Sequence, residues 1–210
     1  MQYLALFPLQ LVVFPGEGLN LHIFEPRYRQ LVAEAETEGI HFGVPTVLNG
    51  ELQPVATEVS LKKVARRYPS GESDIETLGQ RVFRIDSFER ELPDKLYAGA
   101  SVTYLPVDTE EDPALNRQII ALTREIYGRL KIERDVASVE DGFRTYDIGH
   151  YVGLTLEQEY TLLTLLSASE RQQYLLTHLQ QIKPQLGDPL GIRERAMLNG
   201  HFKELEPPDF

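Results

Sequence analysis

Hydrophobic positions in the first half of the chain recur mostly every second residue. Tyr3 to Phe7 and Leu19 to Phe24 are short apolar runs bounded by proline and glycine, and Leu21 and Ile23 alternate with Asn20 and His22. This is the spacing of half-buried strands. One segment breaks the period: Pro26 suits a first helical position, Tyr28, Leu31, Val32 and Ala35 fall at i, i+3, i+4 and i+7, and Gly39 stands where a helix C-cap belongs. A single helix is therefore predicted inside the strand series. The period of two returns in His41 to Leu48, Val55 to Arg67, Ser73 to Glu91 and Leu96 to Leu105, with turn residues at Asn49-Gly50, Pro69-Ser70-Gly71 and Pro93-Asp94. Val55 to Arg67 and Ser73 to Glu91 read as a long hairpin. Val82, Ile85 and Phe88 interrupt its alternation, as a bulge in a barrel-like sheet would.

Helical spacing takes over after Pro106. The acidic run Asp108 to Asp112 precedes Pro113 and reads as the charged start of a helix before it reads as a cation site. Leu115, Ile119, Leu122, Ile126 and Leu130 form an apolar stripe, and Thr155-x-x-Gln158 and Ser167-x-x-Glu170 are capping-box patterns. The last helix is expected to bury Tyr174, Leu175, Leu179 and Ile182 and to stop at Pro184 and Gly187. The fold class expected is α+β: a twisted, mostly antiparallel sheet of about six strands with one inserted helix, then a small helical bundle. Residues 1–107 form the β-rich part and 108–187 the helical part. A C-terminal extension, 188–210, has room for one short helix at Ile192 to Leu198.

Composition narrows the function. The chain has 210 residues, with 21 Lys plus Arg against 32 Asp plus Glu, a net charge of −11. That balance disfavours nucleic acid and anionic membrane surfaces as partners. With no cysteine, disulfides, thiolate metal sites and cysteine nucleophiles are excluded, and a cytoplasmic location is expected. Residues 1 to 16 carry no charge, but Pro8, Gln10 and Pro15 interrupt their apolar run, so they read as folded structure and not as a signal peptide. No stretch is long and apolar enough for a transmembrane helix.

The usual signatures of chemistry are missing. Gly-Lys never occurs, the five histidines are singletons, and none of the eight serines sits in a Gly-x-Ser-x-Gly context. No catalytic residue, metal site or cofactor is assigned. Two basic clusters stand out. Lys62, Lys63, Arg66 and Arg67 read first as a charged strand edge that resists aggregation, and second as a phosphate-binding patch. Arg81 and Arg84 are expected to tie the sheet to a nearby acid such as Glu25.

The most distinctive residues lie near the start. Leu6-Phe7-Pro8-Leu9, Val12-Val13-Phe14-Pro15-Gly16 and Ile23-Phe24-Glu25-Pro26-Arg27-Tyr28, followed by Phe42-Gly43-Val44, Leu78-Gly79-Gln80-Arg81-Val82-Phe83-Arg84 and Val152-Gly153-Leu154, occur in order. In these motifs the chain resembles the N-terminal domain of the Lon protease family over about residues 1 to 185. Ala56 departs from the glycine that the family often places before the threonine matching Thr57. The resemblance implies a PUA-like pseudo-barrel followed by helices, and a substrate-recognition role. The ATPase and Ser-Lys protease modules of full-length Lon proteases are not found, so a stand-alone, non-catalytic form is expected.

The expected function is binding of unfolded or exposed apolar protein segments, as an adaptor in protein quality control. RNA or nucleotide binding through the sheet is the alternative, and a hydrolase with an unannounced site the third reading. Phe14, Phe24, Glu25, Pro26, Arg27, Tyr28, Arg81 and Arg84 are the candidate motif residues, read as scaffold before ligand contacts. Binding then falls to an exposed apolar surface near them or to a sheet edge that accepts an extended peptide.

Overall fold

A computed structural model describes residues 2–90 and 92–182. The expected ends at Pro184 and Gly187 and the extension 188–210 lie outside the described residues. The chain divides into two compact units between Pro106 and Val107.

The first unit contains strands β1 (Gln2–Leu6), β2 (Gly18–Ile23), β3 (Phe42–Leu48), β4 (Glu51–Arg67), β5 (Ser73–Glu89) and β6 (Gly99–Tyr104), with helix α1 (Pro26–Glu38) between β2 and β3. Sheet order is β2-β5-β4-β3-β1-β6, and β5 also pairs with β6. The ring β5-β4-β3-β1-β6 therefore closes on itself, while β2 continues the sheet from the other half of β5. All pairings are antiparallel except β1 with β3. Closure rests on β5, a strand of 17 residues whose first half pairs with β2 and whose second half pairs with β6.

Register shifts provide the bending that closure requires. One in β5 against β6, between Ile85 and Ser87, falls within the broken alternation of Val82 to Phe88. Three more lie between β4 and β5: two β5 residues, Gln80 and Arg81, face the single Glu58, and Lys62 and Ala65 are the extra residues on β4. Inside the ring, Leu4, Leu6, Ala56, Phe83, Ala100 and Val102 form one core cluster. A larger cluster joins Phe7, Leu19, Leu21, Ile23 and Phe42 to α1 through Tyr28, Leu31, Val32 and Ala35. Those four are the buried residues of α1, which starts at Pro26 and ends on Gly39 at φ 69°.

The second unit holds α2 (Pro113–Leu130), a 3-10 helix (Thr145–Tyr151), α3 (Leu156–Thr164) and α4 (Ala168–Ile182). Asp112 caps α2, its side chain accepting from the Ala114 amide, and Thr155 and Gln158 form the reciprocal capping box of α3. Helix α4 starts directly after Ser167. The buried face of α2 differs from the expected stripe: Asn116, Ile119, Ile120, Thr123, Ile126, Tyr127 and Leu130 are buried, and Leu115 and Leu122 only partly. On α4, Tyr174 is half-buried and hands its hydroxyl to the Gln158 carbonyl, while Arg171 and Gln172 take the interior positions.

Arg171 is 1% exposed, and its burial is chemically complete. Nη1 donates to the carbonyls of Leu165 and Leu166 at 3.0 Å each, Nη2 to the carbonyl of Asp108, and the Glu111 carboxylate lies 3.8 Å away. Glu111 in turn accepts from the Thr145 amide and from Asn116. Arg171 and Glu111 can thus sit at the centre of this unit because the donors of Arg171, Thr145 and Asn116 meet acceptors.

Candidate functional site

The motif residues converge on a lock between the first connection and the long hairpin. Phe14 is fully buried, and its amide donates to the Glu17 carboxylate at 2.9 Å. Gly16, at φ 83°, donates its amide to the Gly79 carbonyl, and the Gly79 amide donates to the Glu17 carbonyl. Thr57 Oγ1 donates to the Val13 carbonyl at 2.5 Å. The Phe-Pro-Gly turn is in this way fastened to both β4 and β5.

A second group fixes the start of α1. Tyr28 is 3% exposed and its ring centroid lies 3.8 Å from that of Phe7. Arg27 sits 4.7 Å above the Tyr28 ring and donates through Nε to Glu25 at 2.8 Å. Glu25 occupies the N-cap without capping through its side chain, which is committed to Arg27. Pro26 is exposed and Phe24 half-buried beside His22, with ring centroids 6.1 Å apart.

The expected tie between Arg81 or Arg84 and Glu25 does not form. Arg81 reaches instead to Glu58, with Nε at 2.9 Å and Nη2 at 3.2 Å, and Arg84 pairs with Asp86 two residues along its own strand. Glu58 is 2% exposed, and it also accepts from Tyr104 at 2.7 Å with His41 Nδ1 at 3.3 Å. The Arg81 guanidinium stacks 3.6 Å from the Tyr104 ring centroid. This partner was missed because a bulge places Arg81 opposite Glu58, and neither the bulge nor the pairing is written in local spacing.

Protonation follows from that geometry. Burial opposes the charge of Glu58, but hydrogen bonds from Arg81 and Tyr104 and the Arg81 charge overcome it and hold the carboxyl below its usual pKa. Burial, then the hydrogen bond to Glu58, pushes Tyr104 up to about 12. Both shifts move these two groups away from neutral pH.

The basic cluster lies where β4 runs beyond its partner β3. The last β3 pairing is Phe42 with Val59, and among the described residues Ser60 to Arg67 pair only with β5. Lys63 pairs with Glu76 at 3.0 Å, Arg67 with Glu36 at 2.5 Å, and Arg66 stacks on Tyr68 at 4.7 Å. Lys62 is exposed at a bulge. Positive charge here is largely met by acids of the same chain.

Among the described residues the large exposed apolar side chains are Tyr3, Phe88 and Leu96. Tyr3 pairs with Ser101 and Phe88 with Ala100, consecutive residues of β6, so the two point to opposite faces of the sheet and form no common patch. In the helical unit a groove of ≈ 440 Å³ is lined by Gln158, Glu170, Tyr174, Thr177 and His178, whose Nε2 lies 2.9 Å from the Val152 carbonyl. No cluster of three metal-ligating side chains occurs among the described residues, and none of their helices is long and apolar enough to cross a membrane.

The motif residues are thus spent on locking turns in a closed sheet that bears an inserted helix. Two solved structures share it: a Lon N-terminal domain protein from Xanthomonas campestris (TM-score 0.66, 24% identity, covering 84% of this chain and 98% of that one) and the N-terminal domain of the Mycobacterium avium complex Lon protease (TM-score 0.62, 15% identity, covering 85% and 98%). The model of the ATP-dependent protease La (LON) substrate-binding domain matches residues 3–181, and the chain belongs to that family. No curated protein matches it in sequence.

Proposed function

We propose that the chain is a non-catalytic recognition module that binds unfolded or exposed apolar segments of other proteins and acts in the cytoplasm as an adaptor in protein quality control. Membership of a substrate-binding family over residues 3–181 carries this reading. The geometry supports it: the motif residues Phe14 and Tyr28 are interior and hold the fold, which leaves recognition to the surface. The RNA alternative is weakened by the acids that engage Lys63 and Arg67.

The test is fluorescence anisotropy with reduced, carboxamidomethylated lysozyme and with the same protein folded. Saturable binding of the unfolded form alone, without ATP, is the expected result. Absence of saturable binding across several unfolded proteins would remove the reading, and a steep fall of affinity with salt on an RNA probe would favour the alternative.

A further inference from the structure

The interior of the strand ring ends in polar groups. Phe83 faces Ala56 on β4 and Tyr104 on β6, and with Leu6 and Ala56 it belongs to the enclosed apolar cluster. Side chains two residues apart on a strand share a face, so Glu58, two beyond Ala56, and Arg81, two before Phe83, lie on the same inward side as Tyr104. His41, just ahead of β3, reaches the same carboxylate.

Opposite charges are layered here and do not lie side by side. The Glu58 side chain is 3% exposed, whereas those of Arg81 and His41 are 56% and 42% exposed. In the Arg67 pair the acid, Glu36, is exposed as well, and a ligand would meet both signs at once. At Arg81 it meets the guanidinium first. Because Coulomb energy falls as the inverse of distance, an anion at the outer edge of Arg81 gains more from the near guanidinium than it loses to the carboxylate behind.

That edge is defined in shape. Nε and one N–H of Nη2 make the side-on fork to Glu58, and the end-on fork, one N–H each from Nη1 and Nη2, has no partner among the described residues. The guanidinium plane is held by the buried carboxylate on one edge and by the Tyr104 ring, 3.6 Å away, on one face. An exposed arginine is thereby ordered before any ligand arrives, which lowers the entropy lost on binding. Two parallel N–H donors match the two oxygens of a carboxylate.

We propose that the outer edge of Arg81 binds the terminal α-carboxylate of a polypeptide chain. The proposal rests on the recognition role above and specifies its site and substrate class: an exposed apolar segment is taken up at its free carboxy end. A chain of net charge −11 repels acid-rich segments, so a single carboxylate on an otherwise uncharged segment suits it better than an acidic stretch. Side-chain carboxylates offer the same two oxygens, and the test separates the two sources.

The test uses the full chain and fluorescence anisotropy with a labelled ten-residue peptide of Leu, Val and Ser that ends in a free carboxylate. Its companions are the same peptide amidated at that end, and the amidated peptide with one internal Glu. The free-carboxylate peptide is expected to bind saturably and about tenfold or more tighter than the amide, as the loss of a charge-assisted pair of hydrogen bonds implies. Arg81→Lys keeps the charge but loses the fork, and should remove most of that difference. Equal affinity for the free and amidated peptides overturns the proposal whether or not Arg81→Lys folds. A difference that survives in folded Arg81→Lys overturns it too, because the carboxylate is then held elsewhere. Full binding restored by the internal Glu would make any carboxylate the ligand and overturn the chain-end assignment. Displacement of the free peptide by inorganic phosphate, at concentrations where acetate leaves it bound, would give the edge to a phosphate instead. If unfolded lysozyme binds while the free and amidated peptides bind alike or not at all, the site is wrong and the recognition role stands, whereas failure of lysozyme and peptides together removes both.

Discussion

The carbonyl oxygen of Phe14 stands where a side chain at residue 79 would begin: a Cβ on Gly79 would lie 2.2 Å from it. The approach is backbone against backbone, so nothing flexible can yield. It also explains why a glycine lies between the two hydrogen bonds that fasten the Phe-Pro-Gly turn to β5, its amide to Glu17 and its carbonyl to Gly16.

Gly79→Ala is therefore expected to destabilise the protein by about 3 kcal/mol or more, through forced separation of the turn from the sheet. Gly128 is the control. It lies within α2 with nothing within 4 Å of a Cβ, and Gly128→Ala should stabilise by about 0.5 to 1 kcal/mol. Thermal unfolding of the two variants beside the parent checks both signs. Similar small effects would show that the turn can move off β5.

Arg81→Met should cost about 1 to 3 kcal/mol, because it leaves the Glu58 carboxylate buried with two of its donors gone. The pH dependence distinguishes this from simple loss of packing. Glu58 titrates lower in the folded protein than unfolded, so its contribution is complete above about pH 4.3, the unfolded value, and is lost as pH falls through the lower folded value. Glu58→Gln should flatten stability against pH in that acid range. Denaturant unfolding between pH 3 and 7 measures the slope, and an unchanged slope would show that Glu58 does not carry it.

What the sequence made legible was local. Helix α1 was readable because Pro26, Gly39 and four apolar positions are all set by near neighbours. The buried face of α2 was not: Asn116 and Thr123 replace Leu115 and Leu122 inside, and the Asn116 side chain is satisfied by Glu111 and by Gln172, the latter 56 residues away. Ranking residues by hydrophobicity passes over polar groups whose partners lie far along the chain. The same limit hid the Arg81 partner and the role of β5, whose 17 residues meet three strands with shifts that no alternation pattern reveals.

Arg171 extends that point to energy. Its guanidinium serves the carbonyls of Leu165, Leu166 and Asp108, and Leu166 also accepts from the Asp108 amide. Arg171→Leu is expected to cost about 3 to 5 kcal/mol, and Arg171→Lys to recover only part, since an ammonium lacks the planar fork that reaches three carbonyls at once. Chemical denaturation of both variants is the measurement. A Lys variant as stable as the parent would show that charge and not geometry is what this site needs.

The charged β4 margin makes a prediction of a different kind, about assembly and not stability. Lys62 is an exposed bulge residue with no acid partner among those described, and Arg66 is an exposed residue that stacks on Tyr68 and faces the partly exposed Asp74 across the ladder, where an ion pair contributes little. If their purpose is to keep another strand away, Lys62→Val with Arg66→Val should leave the unfolding midpoint within about 0.5 kcal/mol of the parent while light scattering on warming rises faster. Adding an RNA probe to the same pair of proteins separates the RNA-binding alternative, because a phosphate-binding patch would lose affinity and a guarded edge would lose only solubility.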